Sequence, residues 1–282
     1  ISGNTPVKDG VVWPDDLPLT TPYCMIITGG KFTENGNNLF VVFNNTEGEG
    51  SHVIIKGGEF AAKNVFFRSH APIKLEISGG TFSSVNDNLF HMHNGSWGGK
   101  INITGGTFTN EKKYIFNAAG AAITIGTAEG VSAPTFISGN VIFAMSDNDV
   151  LSPVTINGGV FNATGNGRIF LINADTIKYT TVDGELVRSN VEEDGAKKGR
   201  VTITGGVFSS EFGAAIEYTT VYDLAQFTVS GGDFTSCKIP LKMCTESQLT
   251  GIELLTAGCI ATNTFHMTTP SEKDGSSVTA VE

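Results

Sequence analysis

Met25-Ile-Ile-Thr-Gly-Gly-Lys-Phe32 is the stretch that decides the fold, because the chain keeps repeating it. Further copies are Val53-Ile-Ile-Lys-Gly-Gly-Glu-Phe60, Leu75-Glu-Ile-Ser-Gly-Gly-Thr-Phe82 and Ile101-Asn-Ile-Thr-Gly-Gly-Thr-Phe108. A degenerate copy reads Thr135-Phe-Ile-Ser-Gly-Asn-Val-Ile142. Val154-Thr-Ile-Asn-Gly-Gly-Val-Phe161, Val201-Thr-Ile-Thr-Gly-Gly-Val-Phe208 and Phe227-Thr-Val-Ser-Gly-Gly-Asp-Phe234 complete the set. The shared pattern is apolar-x-apolar-x-Gly-Gly-x-Phe, and internal repetition of this kind ranks above every other signal of fold.

Each position has a physical reason. The first four residues alternate apolar and polar, as in a strand with one buried face. Ile27, Ile55, Ile77, Ile103, Ile137, Ile156, Ile203 and Val229 are expected to stack inside, where β-branched side chains suit a pleated surface. The Gly-Gly pair turns the chain, with at least one residue at positive φ. The phenylalanine two residues on re-enters the core.

The first glycines fall at 29, 57, 79, 105, 139, 158, 205 and 231, so successive spacings run 28, 22, 26, 34, 19, 47 and 26. Stacked coils with variable loops tolerate such irregularity. A second apolar burst follows most copies, as in Asn38-Leu-Phe-Val-Val-Phe43, Asn88-Leu-Phe-His-Met-His93, Tyr114-Ile-Phe116 and Arg168-Ile-Phe-Leu-Ile172. Each coil therefore has at least two strands. Similarity between whole coils, rather than between strands joined by hairpins, favours parallel stacking over a sandwich. The predicted class is all-β, a single-stranded parallel β-helix of about eight to ten coils.

Outside the repeat, residues 1–24 carry Pro6, Pro14, Pro18 and Pro22 and read as a lead-in or cap. The β-helix is expected over 25–245, and 246–282 as a last irregular coil, around Gln248 to Leu255, with a terminal cap or tail. Residues 173–200 form the largest excursion, with a hairpin around Asp183-Gly184.

The charged fraction is 16%, the net charge −10 and glycine numbers 35. Acidity argues against nucleic acid as a partner, since that needs a basic patch. No apolar run is long enough for a transmembrane helix. No secretory signal is visible, and Ile1-Ser2-Gly3-Asn4 reads as a trimmed or mature start. Cys24, Cys237, Cys244 and Cys259 lack zinc-ligand spacing. A disulfide such as Cys237–Cys244 and buried free thiols both remain open for them.

The Ile-Ser/Thr-Gly-Gly-Thr-Phe repeats resemble right-handed parallel β-helix proteins of the pectin-lyase-like type, and more narrowly surface and secreted proteins of gut anaerobic bacteria. The resemblance covers residues 25–234. It implies a secreted or cell-surface location and involvement with polysaccharides or adhesion.

No catalytic set of that family can be assembled. A calcium-binding acidic ladder is missing, with Asp147 and Asp149 the nearest approach. Of the hydrolase motifs only fragments occur, at Asn86-Asp87-Asn88 and Gly167-Arg168-Ile169, and Asp15-Asp16 lies in the lead-in. Carboxylates paired for glycoside hydrolysis are not found. No metal site, cofactor or catalytic residue is assigned.

The second strand offers a better lead. With Phe40, Phe67, Phe90, Phe116, Phe170 and Ile216 inward, alternation turns outward Val41 and Phe43, Arg68 and His70, His91 and His93, Asn117 and Ala119, Leu171 and Asn173, and Glu217 and Thr219. Arg68, His70, His91 and His93 thus meet on adjacent coils, with Asp87 before the strand and Trp97 after it. An indole beside hydrogen-bonding groups suits a sugar ring, and a plain polar exterior explains the same residues. The expected function is non-enzymatic adhesion or recognition of a polysaccharide or host or cell-surface glycan. A polysaccharide lyase or glycoside hydrolase on the same scaffold is one alternative, and a structural stalk is another.

Overall fold

The alternating half of the repeat does become a strand in the computed structural model, which describes residues 11–12, 24–42, 51–93, 99–146, 152–173, 179–182, 185–188, 199–218, 225–244, 259–260, 265–268 and 276–278. Among these residues every regular element is a strand. The strands come in threes. The first of each set are Cys24–Ile27, Ser51–Ile55, Ile73–Ile77, Lys100–Ile103, Ala122–Ile125, Val154–Ile156, Gly199–Ile203 and Ala225–Val229. The second are Lys31–Glu34, Glu59–Ala62, Thr81–Ser84, Thr107–Asn110, Thr135–Ser138 and Val160–Ala163. The third are Asn38–Val42, Val65–Ser69, Phe90–Met92, Tyr114–Asn117, Val141–Ser146 and Arg168–Asn173. In the last two sets the second and third strands run on as one, in Val207–Tyr218 and Gly232–Cys244.

Each strand pairs in parallel with its counterpart in the next set, so each set is one rung of a stack. First strands register Ile27, Ile55, Ile77, Ile103, Ile125, Ile156, Ile203 and Val229 in one column. They form a nine-stranded sheet with Val11–Val12, which lies antiparallel on the edge of the first rung. The second and third strands, with Cys259–Ile260, Phe265–Thr268 and Ser276–Val278, form a seventeen-stranded sheet, joined into one by the two continuous strands. The molecule is thus all-β with long parallel sheets, an arrangement compatible with a parallel β-helix.

The core is built in columns. Phe32, Phe60, Phe82, Phe108, Phe136, Phe161, Phe208 and Phe234 stack ring on ring, with successive centroids 4.3–5.0 Å apart. That separation follows from the spacing of paired strands, about 4.8 Å. Third strands contribute a second aromatic column, closest over Phe90, Phe116, Phe143 and Phe170 at 4.7–5.0 Å. The turn between second and third strands holds buried polar groups. Asn110 Nδ2 donates to Ser84 Oγ and to the Asp87 carbonyl, both at 2.8 Å, while its Oδ1 accepts from Lys112 N and Lys113 N. That one side chain satisfies the corner's backbone across two rungs, as burial requires.

The Gly-Gly pair uses both glycines. The second sits at φ between +101° and +118° in Gly30, Gly58, Gly80, Gly106, Gly159, Gly206 and Gly232. The first lies against the rung before it: a Cβ on Gly79 would stand 2.5 Å from the Lys56 carbonyl oxygen.

The degenerate copy is read differently by the fold. Its first strand is Ala122–Ile125, so Ile125 rather than Ile137 fills the isoleucine column. Thr135–Ser138 is a second strand, Phe136 continues the phenylalanine stack, and Ile137 faces outward between Thr109 and Asn162. Residues 126–134 replace the two glycines. The Pro134 carbonyl accepts from Val160 N at 2.8 Å, as the Gly30 carbonyl does from Glu59 N. Both inward-facing strand types share a period of two, so alternation alone does not tell them apart. This rung also supplies the inward Phe143, which the sequence alignment lacked.

Tyr179–Val182 and Glu185–Arg188 form the hairpin expected in the excursion, with Val182 opposite Glu185. Its turn, Asp183-Gly184, lies outside the described residues, as do Gln248 to Leu255. Beyond residue 245, Cys259–Ile260 and Phe265–Thr268 still pair in parallel with Gly232–Cys244, and Ser276–Val278 closes antiparallel on Phe265–Thr268. Cys237 is buried, and burial pushes its thiol up to about 11.

Candidate functional site: an imidazole and guanidinium cluster

Val65–Ser69 and Phe90–Met92 are neighbouring third strands with Phe67 opposite Phe90, Arg68 opposite His91 and Ser69 opposite Met92. Phe67, Ser69, Phe90 and Met92 are buried, so Arg68 and His91 point out. The same alternation carries one step past each strand. His70 N donates to the Val42 carbonyl at 2.9 Å and His93 N to the Ser69 carbonyl at 3.1 Å, which keeps His70 and His93 in the ladder. The alignment drawn from sequence therefore holds for these four residues.

The structure brings all four together, each half-buried. The His70 and His93 rings stack with centroids 4.0 Å apart and 16° between planes, and His91 and His93 at 4.6 Å and 20°. Arg68 Nη2 lies 3.3 Å from His91 Nδ1. A guanidinium only donates, so His91 Nδ1 accepts and its proton resides on Nε2. Protonating Nδ1 would set two donors against each other.

The electrostatics follow from this crowding. Burial first, then the Arg68 charge, holds His91 below the ordinary imidazole value, while Asp87 pulls it the other way. His70 is lowered by burial and by Arg68. His93, between two imidazoles, falls to about 4 through burial, His70, His91 and Arg68. Arg68 Nε and His93 Nε2 are buried without a hydrogen-bond partner.

Asp87 belongs to the corner as much as to the cluster. Its Oδ1 accepts from Asn88 N at 2.7 Å, and its carbonyl accepts from Ser84 Oγ and Asn110 Nδ2. Trp97 lies outside the described residues, as do Asp147, Asp149 and the Asp15-Asp16 pair. On the flanking rungs Val41 registers with Arg68 and Asn117 with His91, so no further charge extends the column on either side. Among the described residues no group of three or more His, Cys, Asp and Glu is arranged to hold a metal ion. Stacked imidazoles present parallel ring edges, whereas a metal needs nitrogens converging on one point.

Two other outward assignments change. Ala119 is buried. Glu217 is buried too, because the Arg168 guanidinium Nε donates to its carboxylate from the preceding rung. Sequence reasoning missed this ion pair: Arg168 opens its strand, and alternation does not say which side chain of the neighbouring rung it meets. The pair also accounts for the hydrolase-like Gly167-Arg168-Ile169 fragment as structure, since a Cβ on Gly167 would meet the Ser138 carbonyl at 2.8 Å. A third polar group, His52 and Lys74 around Glu76, lies on the first-strand face, at 3.2 and 2.7 Å.

No family model, no curated protein and no solved structure matches this chain.

Proposed function

We propose that the chain is a right-handed, single-stranded parallel β-helix of pectin-lyase-like type that acts outside the cytoplasm, without catalysis, in adhesion or in recognition of a polysaccharide or cell-surface glycan. Handedness rests on the general preference of parallel crossovers. The observation that carries the recognition reading is the contiguous Arg68, His91, His93 and His70 surface. These are polar, planar, hydrogen-bonding side chains held on rigid neighbouring strands. Rigid strands present such groups with little ordering cost when a ligand arrives. The edges of the stacked rings carry nitrogens that offer donors and acceptors to sugar hydroxyls.

A second reading has one observation in its favour. A neutral imidazole can abstract a proton, and His93 Nε2 has no hydrogen-bond partner, so a polysaccharide lyase or hydrolase centred on His91 and His93 is the alternative. One experiment separates the two: a glycan array, followed by incubation of each hit with the protein. Binding with unchanged chain length supports recognition. New reducing ends or unsaturated products replace it with the enzyme. An array without hits leaves the structural stalk.

A further inference from the structure

We infer that the Arg68, His70, His91 and His93 cluster is an oxyanion site whose occupation is linked to proton uptake; resting on the recognition reading above, it assigns the ligand an acidic sugar bearing a carboxylate or a sulfate ester. Four nitrogen-bearing side chains converge within ring-stacking and hydrogen-bonding distance in a chain whose net charge is −10. The strands packed on either side supply no counter-charge there: Val41 and Val42 come from one, Asn117 and Ala118 from the other. Among the described residues Asp87 is the carboxylate whose charge reaches the cluster, and its Oδ1 is engaged by the Asn88 amide.

Crowding sets the chemistry. Burial and cationic or potentially cationic neighbours hold each imidazole below its ordinary value. An arriving oxyanion reverses the second cause. It accepts from the guanidinium and makes an imidazolium favourable beside it, as charge-assisted pairing does elsewhere. His93 Nε2 and Arg68 Nε are already withdrawn from water and unpaired, so turning them toward an anion sacrifices no existing hydrogen bond. By linkage, affinity for the anion then rises as the pH falls, by up to about tenfold per pH unit for one proton taken up.

The test follows histidine titrations by NMR in the full chain, with inorganic sulfate against chloride at matched ionic strength. His52, beside Glu76 on another face, serves as the internal control. Sulfate is expected to raise the His91 and His93 midpoints and leave His52 in place, and the effect is expected to vanish in Arg68→Gln. Midpoints that ignore sulfate, or that move together with His52, overturn the inference. A shift that persists in Arg68→Gln does the same. Isothermal titration with a neutral, a carboxylated and a sulfated oligosaccharide of one backbone then tests the ligand. Acidic forms binding more tightly at lower pH support it. Equal binding of the neutral form overturns the anion assignment and leaves the recognition reading standing. A sulfate response with no sugar bound reverses that: the oxyanion site stands and the glycan reading falls.

Discussion

Gly79 and Gly80 do different jobs although the sequence writes them as a pair. Gly80 turns the corner at φ +109°, a region that residues with a Cβ occupy only under strain. Gly79 lets its rung approach the Lys56 carbonyl. Gly80→Ala is therefore expected to cost about 1–3 kcal/mol, and Gly79→Ala to be destabilising through contact with the rung below. Gly29 is the control. It belongs to the first rung, and a Cβ there meets nothing within 4 Å. Gly29→Ala is expected to stay within about 0.5 kcal/mol of the parent. Urea denaturation of the three variants checks the set, and equal losses at 29 and 79 would refute the close-approach argument.

At the scale of elements, the informative rung is the one the repeat describes worst. Its motif copy aligns Ile137 with the isoleucine column, yet the pairing makes Phe136 the core residue and turns Ile137 out. Phe136→Ala is expected to cost about 3–5 kcal/mol, as removal of a buried aromatic does. Ile137→Thr keeps a β-branched strand former on an outer face, so its effect is expected within about 0.5 kcal/mol. The reverse order in thermal or chemical denaturation would restore the repeat-based register. Most of this architecture was legible because the repeat is a strand period plus a turn. Strand identity in this rung was not, since Gly-Gly marked the turn everywhere else and residues 126–134 take its place.

Over the whole molecule, stability should be graded along the stack. Inner rungs are covered on both sides, whereas Phe32, Leu39 and Phe40 of the first rung are only partly buried against the core. Native-state hydrogen exchange is expected to protect Phe108 and Phe136 amides more than those of Lys31–Glu34, because exchange reports local opening. Uniform protection would contradict a rung-by-rung account. Stability should also decline in acid. Imidazoles lowered in the folded chain bind protons more weakly there than when unfolded, so the unfolded state takes up protons first. Their contribution is intact above the ordinary value of 6.5 and is lost as the pH falls from there toward 4 for His93. His93→Gln is expected to flatten the pH dependence of the denaturation midpoint across that window, and an unchanged slope would argue against the stacked cluster. The sequence by itself determined the class, the parallel repetition, the glycine pair after the first strand of every rung but one and the outward alternation of Arg68, His70, His91 and His93, because each is written in local periodicity. Only the tertiary structure decided that rungs have three strands, that Phe136 and Ile125 complete the columns, that Arg168 buries Glu217, and that the imidazoles stack within 4.6 Å. Those depend on which strand lies beside which and how the corners turn, and neither has a period that a sequence can carry.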